Sequence, residues 1–233
     1  MHRLYLNLDA MDTAHSAYID EPRASQILAN AERPLVKTHC MPGFCELPEQ
    51  AQEFARRIQS GAHVVYVVRD GRAVMCSARL WRARRGKGPL AMSEFLRSKA
   101  LNNCASWPRY WAMHVSAWLE APNVLAIRYE DVTKAPEDVI EKIAAFLGLT
   151  PTWNRPLVPP PLKGGRFEDY WRRMTGNEQS TTIVGKKRGH KAGKWWELFS
   201  QSDRSFFEQE AGEALRLLGY ETDANWVFNS DER

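Results

Sequence analysis

The segment Ala62 to Val68, followed by Arg69-Asp70-Gly71, constrains this chain more than any other. Its centre, Val64-Val65-Tyr66-Val67-Val68, is β-branched or aromatic throughout and shows no polar alternation. Such a run reads as a central strand covered on two sides, the habit of parallel sheets. The run breaks at Arg69-Asp70-Gly71, and Arg72 to Arg85 has helix-forming composition. This is a strand–turn–helix unit. In sheets built from such units, ligands sit at the carboxyl ends of the strands, beside the helix N-termini. It is also the longest apolar run, far short of the roughly 20 residues that a membrane helix needs.

The theme recurs along the chain. Leu35 to Lys37 reads as a short buried strand ending at Thr38-His39. Ala51, Phe54, Ala55 and Ile58 then fall at helical spacing within Glu46 to Ser60. A helix is expected near Ser93, whose hydroxyl would cap it, and another over Trp107 to Leu119. In the latter, Trp107, Trp111, Val115 and Trp118 form a core stripe. Val124 to Ile127 is a further buried strand, ending at Arg128-Tyr129-Glu130-Asp131. Pro136 opens a helix that places Val139, Ile140, Ile143, Phe146 and Leu147 on one face and stops at Gly148. From Thr150 to Lys187 the pattern dissolves into Pro- and Gly-rich sequence, with helical character only around Phe167 to Met174; residues 150–187 read as a lid loop. Ser200 and Asp203 form a capping box for a last helix that ends at Gly219. The expectation is one α/β domain over residues 1–233, a three-layer sandwich around a central parallel sheet. Residues 1–34 are its atypical segment.

Charge and thiols narrow the functional classes. The chain has 233 residues and a net charge of +4, but its basic residues are bunched. Arg79, Arg82, Arg84, Arg85 and Lys87 form one cluster, and Lys186, Lys187, Arg188, Lys191 and Lys194 another. Each reads either as a solvated basic face or as a place where phosphate or another polyanion binds. Cys40, Cys45, Cys76 and Cys104 lack the spacing of a zinc site, and four scattered thiols suit a reducing, cytoplasmic compartment. Met1 to Ala14 contains no apolar signal-peptide core.

Three phrases place polar groups at the ends of probable strands: Val36-Lys37-Thr38-His39, Val68-Arg69-Asp70-Gly71 with Ser77 about two turns into the helix, and Arg128-Tyr129-Glu130-Asp131. A guanidinium fork and a hydroxyl can together hold an anion. Arg69 could equally pair with a neighbouring carboxylate while Ser77 faces solvent.

Order, spacing and context together resemble the sulfotransferases that use 3′-phosphoadenosine 5′-phosphosulfate (PAPS), over about Leu35 to Tyr220. Arg69 and Ser77, eight residues apart, match that family's 3′-phosphate motif. Lys37-Thr38-His39 matches its KTH segment, in which the His is the catalytic base and the Lys assists sulfuryl transfer. Tyr129 matches the adenine-contacting Tyr of its YED segment, and Phe167 an adenine-stacking Phe. Arg188 and Gly189 are the best matches to the RKG of its RKGxxGDW loop, although the spacing differs by one residue and Lys194 replaces the Asp. The family's phosphate loop, of the type YPKSGTTW, matches nothing in Met1 to Pro34, and no Walker-type GxxxxGKS or GxxxxGKT occurs. The expected fold is therefore the P-loop NTPase-like sulfotransferase fold with its first strand and phosphate loop missing.

The resemblance implies transfer of a sulfuryl group from PAPS to a hydroxyl or amine on a small-molecule or glycan-type acceptor, without a metal. His39 and Lys37 would be catalytic; Arg69, Ser77, Tyr129, Phe167, Arg188 and Gly189 would bind the nucleotide. The alternative is a remnant of the family that binds a nucleotide or polyanion and has weak or no catalysis. Nucleic acid is not the expected partner. A small kinase fits less well, because the KTH and Arg–Ser phrases have no role in it.

Overall fold

The computed structural model describes residues 5–13, 18–83, 88, 90–150 and 195–228. Strand β1 (Tyr5–Asn7) runs into a 3-10 turn, Leu8–Met11, and is followed by helix α1 (Glu21–Ala29). Then come β2 (Leu35–Lys37), α2 (Glu49–Ser60), β3 (Val64–Val68) and α3 (Gly71–Arg82). Next are α4 (Met92–Arg97), α5 (Trp107–Glu120), β4 (Val124–Arg128), α6 (Tyr129–Lys134) and α7 (Pro136–Phe146). A short helix, Trp195–Leu198, precedes the last long one, Gln201–Leu217.

Both strand pairings are parallel. Strand β1 lies beside β2, from Tyr5 opposite Leu35 to Asn7 opposite Lys37. Strand β3 lies beside β4, from Val64 opposite Val124 to Val68 opposite Arg128. Among the described residues these are two separate two-stranded sheets. The N-terminal segment, in which the sequence showed no family phrase, thus supplies the strand beside the Lys37 strand.

Two apolar cores follow from the two pairs. The larger gathers Val68, Met75, Phe95, Leu96, Trp111, Val115, Phe207, Leu215, Trp195 and Trp226 around one face of β3, with α3, α5 and the last helix. The smaller gathers Leu6, Leu8, Phe44, Phe54, Ala55 and Trp118 around β1 and α2. Tyr66 packs against both and joins them. Burying one such Leu or Phe contributes about 1.5–3 kcal/mol. The tryptophan stripe of α5 divides accordingly, with Trp111 in one core and Trp118 in the other.

Local sequence explains most helix ends. Ser106 accepts from the Arg109 N–H and caps α5, and Ser200 with Asp203 forms the expected capping box. Helix α7 ends where Gly148 takes a positive φ of 62°. Two details differ from expectation. Helix α4 begins after Ala91 without a side-chain cap, because Ser93 lies one residue inside the helix, where its hydroxyl donates to Asp203 at 2.6 Å. Strand β3 is not covered on both faces by the described residues: Val67 is 53 % exposed, and α7 lies against β4. No helix among the described residues is long and apolar enough to cross a membrane.

Candidate active site

The carboxyl ends of β3 and β4 carry Arg69 and Tyr129. Parallel pairing puts Val68 opposite Arg128, so the next residue of each strand emerges at one level. The Arg69 guanidinium lies over the Tyr129 ring, 5.0 Å from its centroid. Its Nε is buried and meets no hydrogen-bond acceptor among the described residues. A buried, unpartnered guanidinium N–H is costly unless an acceptor completes it. The site therefore fits an anion, and Tyr129 offers a flat face beside it. Ser77 is half-buried on α3, two turns after Arg69, and makes no hydrogen bond to a described residue.

What fixes this site is Arg72, which is 1 % exposed. It sits in the first turn of α3, where a cation opposes the helix dipole and needs other partners. Asp70 supplies them twice. Its carboxylate caps α3 by accepting from the Arg72 N–H at 2.9 Å, and it accepts from the Arg72 guanidinium at 2.8 Å. Glu221 binds the other side of that guanidinium. The rings of Trp195 and Trp226 lie 4.1 and 4.6 Å from its central carbon. Arg72 thereby pins Trp195, six residues beyond Gly189, to the turn that carries Arg69. Gly71 is required for a different reason: a Cβ there would stand 2.6 Å from the Trp111 ring. Glu130 adds a further tie by accepting from the Tyr220 O–H at 2.7 Å.

The end of β2 carries the second group. Lys37 is the last residue of the strand, half-buried, with no carboxylate partner among the described residues. The chain then leaves the strand and His39 faces solvent, its side chain 66 % exposed. Its Nδ1 lies 2.5 Å from Asp9 Oδ2. The other carboxylate oxygen of Asp9 accepts from the His39 backbone N–H at 3.0 Å and the Thr38 hydroxyl at 3.1 Å. Burial alone would push the Asp9 carboxyl up, but these hydrogen bonds hold it below the usual carboxylate range.

Behind His39 is a second histidine. His114 on α5 approaches the His39 carbonyl through Nε2 at 3.2 Å and the Tyr66 hydroxyl through Nδ1 at 3.0 Å. A carbonyl only accepts, so Nε2 carries the proton and Nδ1 accepts from Tyr66. Burial holds the His114 pKa below its ordinary value, which agrees with a neutral ring. Tyr66 is three residues before Arg69, so this bridge connects the two strand ends.

The structure brings Arg69 and Tyr129 into contact and sets Lys37 and His39 together on the β2 exit. Phe167, Arg188 and Gly189 lie outside the described residues. Asp9 and Arg72 were missed. No local pattern marks Asp9, 30 residues from its partner; the misplaced charge at the start of a helix was a usable signal for Arg72. The buried thiols of Cys40 and Cys76 are pushed up to about 12 and about 11 by burial, so neither is a nucleophile at neutral pH.

The sulfotransferase domain family matches residues 17–218, and the chain belongs to that family. No curated protein matches the chain. Among solved structures, mouse sulfotransferase SULT7A1 complexed with PAP (the desulfated nucleotide) aligns with a TM-score of 0.50 and 15 % identity, covering 96 % of this chain and 86 % of that one. Retinol dehydratase in complex with androsterone and the inactive cofactor PAP aligns with a TM-score of 0.45 and 21 % identity, covering 83 % of this chain and 57 % of that one. The fold is the α/β sulfotransferase fold.

Proposed function

We propose that this chain moves a sulfuryl group from PAPS to a hydroxyl or amine of a small-molecule or glycan-type acceptor, with His39 as the general base. The observation that carries this reading is the Arg69–Tyr129 pair. A buried guanidinium Nε without an acceptor among the described residues stands against an aromatic face, at the joint ends of two parallel strands. That is the chemistry of a phosphate beside a base.

PAPS, when bound, supplies the activated sulfuryl group. Arg69, Ser77 and Arg188 would hold the 3′-phosphate, and Tyr129 and Phe167 would flank the adenine. Gly189 would let the backbone come close to that phosphate. Lys37, a compact cation with no carboxylate partner among the described residues, would stand along the transferred group. His39 would take the acceptor's proton through its exposed ring edge; such general-base help is worth about 10²–10⁴ in rate. These roles need no metal. A cytoplasmic location accords with the four free cysteines.

Calorimetric titration tests the reading. PAP should bind more tightly than AMP or ATP, because only PAP carries the 3′-phosphate. Arg69→Ala should lose most of that preference, since truncating one partner of a buried charge pair costs about 2–5 kcal/mol. Equal affinity for the three nucleotides would overturn the reading.

A further inference from the structure

We propose that Asp9 is the positioning residue for His39: it holds the imidazole as the Nδ1–H tautomer and so leaves Nε2 unprotonated and turned outward to receive the acceptor's proton. The assignment rests on the reading of His39 as the base.

The geometry comes from two elements far apart in sequence. Asp9 lies in the 3-10 turn directly after β1, and His39 lies two residues after β2. Parallel pairing of Asn7 with Lys37 brings the two exits side by side. Asp9 is mostly buried, with its side chain 22 % exposed, whereas the imidazole is open to solvent on its far edge. Other titratable groups surround this point. Lys37 comes from the strand, Glu46 from the turn after it, and Tyr110 and His114 from α5. Glu46 accepts from the Met41 N–H and the Tyr110 hydroxyl, and His114 touches His39 at its backbone carbonyl rather than its ring. Among the described residues, Asp9 alone is within hydrogen-bond distance of the His39 ring.

The two carboxylate oxygens have different duties. Oδ1 accepts from the His39 backbone N–H, which can only donate, and from the Thr38 hydroxyl, with the Cys40 thiol 3.9 Å away. Oδ2 is left for Nδ1–H. With Nδ1 protonated, the neutral ring has its lone pair at Nε2. When the acceptor's O–H or N–H bond breaks, the proton bonds to Nε2 and the electron pair stays on the acceptor atom. The ring becomes an imidazolium, and the Asp9 carboxylate beside it keeps its negative charge and stabilises it. A carboxylate held well ionised suits that task.

The same asymmetry gives a sharp test. In Asp9→Asn the amide oxygen must remain at the Oδ1 position, facing the His39 backbone N–H, which can only donate. The amide NH₂ then faces Nδ1 and forces the proton onto Nε2, the tautomer that cannot act as base. Nitrogen-15 histidine spectra of the 233-residue chain read this directly, with His39 assigned by the signal that His39→Gln removes. Above the ring's titration, the wild-type chain should show a pyrrole-type shift at Nδ1 and a pyridine-type shift at Nε2. Asp9→Asn should exchange the two, and Asp9→Glu should keep the wild-type assignment. A pyridine-type Nδ1 in the wild-type chain overturns the proposal, as does an unchanged assignment in Asp9→Asn. Should Asp9→Asn not fold, the wild-type and Asp9→Glu spectra still decide it. Failure of PAP to bind would remove the reading of the site and leave these spectra untouched. A wrong tautomer would remove Asp9's role whatever PAP does.

Discussion

Beyond β3, Arg72 is 1 % exposed and is gripped by two carboxylates and two indole rings. Beyond β2, His39 is 66 % exposed and its ring is held by one carboxylate. The strands differ likewise: β3 and β4 share five paired positions and the larger core, β1 and β2 share three and the smaller. The contrast teaches how a site divides its rigidity. On the proposed function, a nucleotide phosphate would have to be met by a guanidinium already in place, which accounts for building that end into the core. On the same proposal, a base would have to reach its acceptor and shed a proton to water afterwards, which accounts for fixing only its orientation. Each half should then fail in its own way.

The largest effect is expected from Arg72→Ala. It removes the guanidinium that Asp70 and Glu221 share, and breaking a buried ion pair typically costs about 3–5 kcal/mol. Urea unfolding should show it as a large fall in midpoint, with PAP affinity falling as well. Asp9→Ala should cost far less. Equal losses in the two variants would break the contrast.

Gly71→Ala comes next. Its Cβ would stand 2.6 Å from the Trp111 ring, and relieving that overlap should cost about 1–3 kcal/mol, measured in the same unfolding experiment. A neutral result would mean that the start of α3 can shift, and that the phosphate end is less rigid than drawn here.

Acid sharpens the comparison further. Asp9 and Asp203 both have folded pKa values below the ordinary one. In Asp203, burial opposes the shift and hydrogen bonds from Ser93, Ser200 and Arg97 outweigh it. A carboxyl depressed on folding adds stability that is complete above its unfolded pKa of about 3.9 and is lost as pH falls through the folded value. Stability should therefore fall below about pH 4 in the wild-type chain. Asp203→Asn should flatten that fall more than Asp9→Asn, because Asp203 is 2 % exposed and Asp9 22 %. Titration of unfolding free energy against pH checks the order.

The smallest effect is expected from Tyr66→Phe, which removes the hydroxyl donated to His114 and costs about 0.5–1.5 kcal/mol. Although that bond bridges the halves, each half is held by its own contacts, so His39 tautomer spectra and PAP titration should both stay near wild type. A change in both would show that the halves are coupled through α5.

The parts of the fold legible in the sequence were those with a local cause. The β-branched run of β3, the tryptophan stripe of α5 and the Ser200–Asp203 box each declare themselves within a few residues, and each is present. Arg69 and Tyr129 could be named because the phrases that carry them, each at a strand end, resemble those of the sulfotransferase family. What escaped depends on tertiary company. Strand β1 has three residues, too few for any period to show, so the carboxylate it delivers was invisible. Ser93 looked like a cap, but it lies one residue inside the helix and its hydroxyl donates to a buried Asp203. Val67 looked interior because a continuous apolar run cannot say how far the covering helix extends.

The indoles around Arg72 give the molecule an optical signature. Trp195 and Trp226 are 7 % and 3 % exposed, with ring centroids 5.5 Å apart and planes at 87°. Aromatic rings locked in so asymmetric a setting produce near-ultraviolet circular dichroism, which disappears when packing loosens even if helices persist. Trp118, the buried indole of the other core, sits apart from them. A Trp118→Phe chain would therefore lose that core's buried indole while keeping the pair around Arg72. Followed during unfolding, its signal would reveal whether the two cores melt in one transition or in succession.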